Sequence, residues 1–279
     1  MSFYETNNCR YGQMIYNKND SHIGKSLSIY GEWSEPETFL FSQIVKSGHH
    51  VIEVGSNIGS HTVMLSKAVG ENGKVYAFEP QRHTFQLLCA NLALNELFNV
   101  HAFNQAVGES NKLEKFPVID PTHPNNFGAS SFFEKDFPFE EVNVITLDSI
   151  NIKRLDFLKM DAEGYEMNIL FGAKETISNQ RPIIFAEYLC HHGGDRSKEI
   201  YNLIHPLGYK VWYFITPLFN KDNYAGTQEN IFNGMWSFDL ICIPNEKGTI
   251  EGLVEVEPNN NGVCHDPELW KKVRYKPIH

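Results

Sequence analysis

The sequence predicts an α/β domain built on a mostly parallel sheet, and three observations predict it. The first is a strand, a tight turn and a helix start in about twenty residues. An apolar run, Val51 to Val54 with Glu53 inside it, leads into the small loop Gly55-Ser56-Asn57-Ile58-Gly59, and Val63, Met64, Leu65 and Ala68 then follow at helical spacing. The second is another apolar run, Val75-Tyr76-Ala77-Phe78, closed by Glu79-Pro80. The third is that apolar runs alternate with helical patterns from residue 50 to about 245, as a parallel sheet with covering helices requires.

In chain order, a helix is expected near 35–46, a strand at 50–54, a helix at 58–69 and a strand at 74–79. The helix expected at 82–95 carries Phe85, Leu88 and Leu92 on one side, which suits a cover helix with one face on the sheet. Strands at 99–104, 142–147 and 156–161 follow, the last closed by Asp161. A helix over 165–178 places Ile169, Leu170, Ala173 and Ile177 at helical spacing, and Glu187 ends the next strand, 182–188. A helix near 196–206 and strands at 209–215 and 238–243 complete the alternation. Right-handed crossovers between parallel strands put a ligand at the carboxyl edge of such a sheet. Residues 108–141 break the pattern with Pro117, Pro121, Pro124, Gly128 and Pro138; a long irregular insertion suits a lid or binding loop, with a plain surface excursion as the alternative. The expected organisation is an N-terminal extension at 1–48 packing on the core, a core at 49–245 and a tail at 246–279 joined through a linker at 257–265, with no internal repeats.

The 279 residues are 42% hydrophobic and 21% charged, ordinary for a globular protein with ample core material. The net charge is -10, and the one basic cluster is Lys271-Lys272-Val273-Arg274-Tyr275-Lys276, expected as a solvated tail. Phosphate-backbone binding draws on Lys and Arg, so no nucleic acid partner is expected. The amino terminus lacks the pattern of a secretory signal, and no apolar stretch approaches the ~18 residues of a membrane span. Cys9, Cys89, Cys190, Cys242 and Cys264 are scattered without C-x-x-C spacing, which suits reduced thiols and a cytoplasmic location. The oligomeric state does not follow from the sequence.

The first loop is not G-x-G-x-x-G, since Asn57 and Ser60 stand where the second and third glycines would be. A pyrophosphate needs those glycines and a nucleoside without phosphates does not. Asn57 can instead bond an amine or carboxylate of the ligand. S-adenosylmethionine is such a ligand: its carboxylate can meet backbone N–H groups at the helix start. Glu79 then suits the ribose hydroxyls. The donor contacts expected are Glu53, Gly55, Ser56, Asn57, Gly59, Glu79, Pro80 and Asp161.

The run Tyr30-Gly31-Glu32-Trp33-Ser34-Glu35-Pro36-Glu37-Thr38 leading to Glu53-Val54-Gly55-Ser56-Asn57 resembles the opening of the FkbM family of S-adenosylmethionine-dependent methyltransferases. Phe78-Glu79-Pro80 resembles its second strand. Thr146-Leu147-Asp148, then Lys159-Met160-Asp161-Ala162-Glu163-Gly164-Tyr165-Glu166, resembles its K-x-D-x-E-G-x-E signature, the most specific of these. The resemblance runs from about residue 11 to 245. Glu53 and Ser56 depart from the usual D-V-G-A-N opening but keep a carboxylate and a small residue. It implies a Rossmann-like class I methyltransferase fold with a seven-stranded sheet. It also implies methylation of a hydroxyl, often on a sugar or a polyketide-like small molecule.

Hydroxyl methylation calls for a base or a metal near the donor methyl, because an alcohol is a poor nucleophile until its proton leaves. Asp161, Glu163, Glu187 and His191, which His192 adjoins, are the candidates. Glu163 and Glu166 would equally serve as acids at the start of the next helix. Asp161, Glu187 and His191 would suit Mg²⁺ or Mn²⁺, but no spacing demands a metal and none is predicted. His49 and His50 precede the first strand at its amino end, the wrong edge. Aromatics at 127, 132, 133, 137 and 139 would pack the insertion onto the domain or stack on a sugar. Three other readings stay open. One is methylation of nitrogen on a nucleic acid or protein; nucleic acid enzymes of that kind resemble one another in an N-P-P-Y or D-P-P-Y motif, where Asp161-Ala162-Glu163-Gly164 stands here. A nicotinamide oxidoreductase lacks two glycines. A non-catalytic nucleoside-binding module is separable only by activity.

Overall fold

A computed structural model of the chain describes residues 2–133, 138–190, 194–257 and 266–278. Its centre is an eight-stranded sheet. The strands are β1 (His50–Val54), β2 (Lys74–Phe78), β3 (Val100–Phe103), β4 (Phe157–Met160), β5 (Ile183–Glu187), β6 (Tyr209–Pro217), β7 (Trp236–Pro244) and a two-residue edge strand, β8 (Val254–Glu255). Their spatial order is β8-β6-β7-β5-β4-β1-β2-β3. The five strands from β5 to β3 run parallel, and β7 lies antiparallel between β5 and β6. This is the Rossmann-like arrangement expected, with seven principal strands and one short addition at the edge.

Successive residues of a strand face opposite sides of the sheet. Ile52, Leu158 and Ile184 therefore pack with α5 (Glu166–Phe171), α6 (Lys174–Gln180) and α7 (Ser197–Ile204). Val51, Phe157 and Phe185 pack on the other side with α2 (Glu35–Ile44) and α3 (Ser60–Val69). Continuous burial of β4, with all four residues inside, is what a central parallel strand covered on both faces requires. A hairpin, Tyr4–Cys9 with Gly12–Asn17, and α1 (Ile23–Ile29) lie over α3 and α4 (Arg82–Leu94). Asn91 of α4 clamps the hairpin by bonding both the N–H and the C=O of Ile15.

Three expectations need correction. The strand expected at 142–147 runs from Phe139 to Ile145 and belongs to a separate three-stranded sheet with Ala106–Val107 and Lys112–Pro117. Only Val142 and Val144 along it are buried, the period-2 pattern of a strand with one wet face. The helix expected over 165–178 is broken into α5 and α6. Gly172 lies so close to the Gly108 carbonyl that no Cβ would fit, and the Asp148 carboxylate accepts from the backbone N–H of Glu175 and Thr176 to start the second helix. The basic C-terminal segment is not a solvated tail. Arg274–Pro277 pairs with Gly248–Glu251, Val273 is fully buried, and Trp270 packs edge-on against Phe39 at 5.3 Å. Residues 258–265 of the linker expected at 257–265, Cys264 among them, and Phe137 lie outside the described residues.

Candidate active site

Four strand ends, β2, β1, β4 and β5, open side by side at the carboxyl edge of the sheet, and each delivers chemistry. After β1 the chain turns on Gly55, in the left-handed region at φ 79°, and passes so close to the Asp161 carbonyl oxygen that a Cβ would collide with it. Gly55 and Ser56 donate their N–H groups to the Phe78 carbonyl, tying the loop to β2. Asn57, also left-handed at φ 48°, donates its N–H to Glu79 Oε2 at 2.9 Å, and the other Glu79 oxygen accepts from the Gln81 N–H at 2.8 Å. Glu79 is thus oriented by two backbone bonds before any ligand arrives. Burial lifts its pKa to about 7 against the pull of those two donors.

After β4, Asp161 takes the Lys159 ammonium at 3.0 Å. The turn continues through Glu163 and Gly164, both at positive φ, and Glu166 closes it by accepting the Ala162 N–H at 2.8 Å. Ser131 of the insertion donates to the Glu163 carbonyl at 2.8 Å, which anchors that segment on the site. Asp161, Glu163 and Glu187 at the end of β5 bring one carboxylate oxygen each within 4.8 Å of the others. Three oxygen donors at that spacing could hold a hard divalent cation. Glu187 Oε2 is buried with no hydrogen-bond partner among the described residues. Burial, reinforced by the Glu163 and Asp161 carboxylates, holds Glu187 well above the usual carboxylate range.

Cross-strand register explains a polar layer under this edge. Glu53 stands opposite Lys159, and Glu187 opposite Asp239, all on the face that α2 and α3 cover. Lys159 is 1% exposed. Burial disfavours its charge, but Asp161, Glu53 and Glu37 outweigh that and hold the ammonium above the ordinary lysine range. Burial lifts Glu53 and Glu37 to about 7 while Lys159 opposes the rise. His61, buried and beside Lys159, is held neutral well below its ordinary value, 3.7 Å from Glu37.

Over the strand ends lies one cavity of about 680 Å³, within the usual size of a small-molecule site. Gly55, Asn57, Glu79, Pro80, Asp161, Glu163 and Glu187 line it. Glu53, Ser56 and Gly59, expected as ligand contacts, do not. The Glu53 carboxylate turns away to accept from Thr62 Oγ1 at 2.6 Å, Ser56 is 2% exposed, and Gly59 packs on Leu88. His191 and His192 lie outside the described residues. Other lining residues were not anticipated from the sequence: Trp33 and Glu37 from the N-terminal segment, Tyr165, and Trp236 with Phe238 of β7. Trp33 and Glu37 sat inside a motif already quoted, but nothing in their spacing announced that they line the cavity. Phe116, Phe127 and Phe132 line the cavity as well, so the insertion's aromatics both pack and line. Phe132 lies 4.6 Å from Tyr165 and 4.9 Å from Phe116. Among the described cavity residues there is no Lys or Arg.

The model of the FkbM methyltransferase domain matches residues 53–211. A curated protein of Beauveria bassiana (strain ARSEF 2860), Methyltransferase 1, is 23% identical over 166 residues, covering 52% of this chain. The chain spans 66% of that protein's length. Among solved structures, an FkbM methyltransferase from Methylobacillus flagellatus KT is 20% identical with a TM-score of 0.45, covering 70% of this chain and 44% of its own. A precorrin 8w decarboxylase from Methanobacterium thermoautotrophicum is 14% identical with a TM-score of 0.47, covering 77% and 93%.

Proposed function

The chain belongs to the FkbM family of methyltransferases, and we propose that it moves a methyl group from S-adenosylmethionine to a hydroxyl of a small molecule, a sugar or glycan in the first instance. The observation that carries this reading is the mixed lining of the cavity. It offers the Gly55 and Asn57 turn and a pre-oriented Glu79 together with aromatic side chains and further carboxylates. Glu79 accepts the ribose hydroxyls through the lone pairs that Asn57 and Gln81 leave open. The amino-acid end of the donor lies at the Gly55–Asn57 turn. The acceptor stacks against Trp33 and Trp236, since aromatic faces suit the C–H surface of a sugar ring.

The acceptor oxygen attacks the methyl carbon in line. The carbon–sulfur bond breaks with its electron pair going to sulfur, the sulfonium becomes a neutral thioether, and the hydroxyl proton passes to a carboxylate. Asp161 is the base best placed, being in the cavity wall and held by Lys159, with Glu163 and Glu187 beside it. Positioning supplies much of the barrier reduction and the base a further ~10²–10⁴-fold. A cavity wall with no Lys or Arg among its described residues supports a neutral small acceptor over a nucleic acid.

A thermal melt with S-adenosylmethionine, S-adenosylhomocysteine and NAD in separate wells tests the donor. A ligand at ~100 times its dissociation constant adds about 2.7 kcal/mol, or roughly 5–10 °C here. Shifts with the two adenosyl ligands are expected; a shift with NAD alone would overturn the reading.

A further inference from the structure

We propose that residues 17–24, which precede the segment matched by the family model, are a strut that holds the tip of the insertion, 125–130, on the donor site, and that Asp20 is its positioning residue. The inference rests on the donor assignment above and adds to it the part of the chain that keeps the site in shape.

The strut is fixed at both ends. Asn91 clamps the hairpin before it, and Ile23 and Leu27 of α1 pack with Ile58 and Val63. In between, the chain folds tightly on itself. The Asp20 N–H donates to the Asn17 carbonyl at 3.0 Å, and a Cβ on Gly24 would collide with that same oxygen. Asp20 is 3% exposed, and its two oxygens accept from the N–H groups of His22 and Gly24, each at 3.0 Å. The N–H groups of Ile23 and Phe127 also favour its charge against the burial that opposes it. One buried carboxylate therefore ties the strut together and draws in the insertion; hydrogen bonds to an ionised group are the strong ones.

The insertion is bound to this strut through backbone and side chains. The Ser21 N–H donates to the Asn125 carbonyl at 2.9 Å, and the Asn125 N–H to the Asn19 carbonyl at 3.0 Å. The Pro121 carbonyl accepts from the side-chain amides of Asn17 and Asn19, at 2.8 and 3.0 Å. The same tip meets both residues that orient Glu79. A Cβ on Gly128 would sit 3.5 Å from Asn57 Nδ2, and Ser130 Oγ accepts from Gln81 Nε2 at 2.9 Å. Asn126, Phe127, Gly128 and Ser130 all line the cavity. A short irregular loop costs conformational entropy to order, and a strut that orders it beforehand removes that cost from donor binding.

Isothermal titration calorimetry with S-adenosylhomocysteine tests this on the wild type, Asp20→Asn, Phe127→Ala and the double variant. Asp20→Asn keeps the side chain's size but sets an NH₂ group against an N–H where an oxygen accepted. It should weaken binding about fivefold and Phe127→Ala about tenfold, both with the stoichiometry unchanged. If Asp20 acts through the tip, the double variant should fall well short of the roughly fiftyfold loss that independent effects would give. Wild-type affinity in Asp20→Asn, or in Phe127→Ala, overturns the proposal, as does a double variant at the full product. A lower stoichiometry at unchanged affinity means that Asp20 serves the fold alone, and also overturns it. No binding to the wild type sinks the donor assignment, and this inference with it. If Asp20→Asn does not fold, the half-buried Asn19→Ala, which removes one bond to the Pro121 carbonyl, takes its place in the cycle with about a twofold loss expected.

Discussion

Replacing Lys159 by methionine removes the ammonium that faces Asp161, Glu53 and Glu37, while keeping a side chain of similar length and bulk. Lys159 is 1% exposed, and Glu53 and Glu37 are 1% and 5% exposed, so the two glutamates cannot turn to water once it is gone. Breaking a buried ion group from one side costs about 3–5 kcal/mol. The Asp161 side chain is 38% exposed and recovers part of its share from solvent, which favours the low end, about 3 kcal/mol. At roughly 2 °C per kcal/mol in a chain of this size, the melting temperature should fall by about 6 °C at pH 8. The loss should depend on pH. Glu37 and Glu53 titrate near 7 with Lys159 present, so near pH 5.5 they are protonated and need no ammonium. Scanning calorimetry of both proteins at the two pH values is the assay. A variant that melts with the wild type at pH 8, or a deficit equal at both pH values, would refute the claim that Lys159 neutralises these carboxylates.

Gly55→Ala should destabilise the fold by at least about 2 kcal/mol, because its Cβ would meet the Asp161 carbonyl at a left-handed φ; a urea denaturation curve matching the wild type would contradict the close approach. Stability should fall as pH rises from about 4.5 through about 7. Glu37, Glu53, Glu79 and Glu166 are each raised to about 7 in the folded state, so their favourable contribution is complete below 4.5 and lost by 7. Glu35, also raised to about 7, adds to the fall, while His49, His50 and His61, all held below their ordinary value by burial, oppose it below about 6.5. The net drop should reach at least about 3 kcal/mol, the figure for a single such acid; urea unfolding that strengthens across this range would contradict it. Trp270→Ala should cost about 3 kcal/mol by emptying the contact with Phe39. A chain that melts unchanged would restore the solvated-tail expectation for this segment.

The parallel sheet was legible because its central strands are apolar on both faces and its helices apolar on one, and both patterns are local. Phe139–Ile145 misled because a run of seven residues rich in valine and isoleucine looks the same whether it joins the main sheet or a side sheet. Its buried residues alternate, and that alternation was the available clue. The break at Gly172 depended on Gly108 and Asp148, partners far away in sequence. Likewise Trp270 gave no sign of burial, because its cover comes from α2 at the other end of the chain.

By itself the sequence determined the strand-loop-helix unit at 50–69, the acids that close the neighbouring strands, and the edge of the sheet where they meet, since each follows from short-range periodicity and turn chemistry. Only the tertiary structure decided which acids line the cavity. Strand register turned Glu53 inward onto Thr62 and Lys159, left Glu79, Asp161, Glu163 and Glu187 in the cavity and set Asp239 opposite Glu187, while the packing of α2 on the sheet added Glu37 to the cavity. A carboxylate's neighbours across a sheet are set by pairing between distant segments, and no window along the chain contains them.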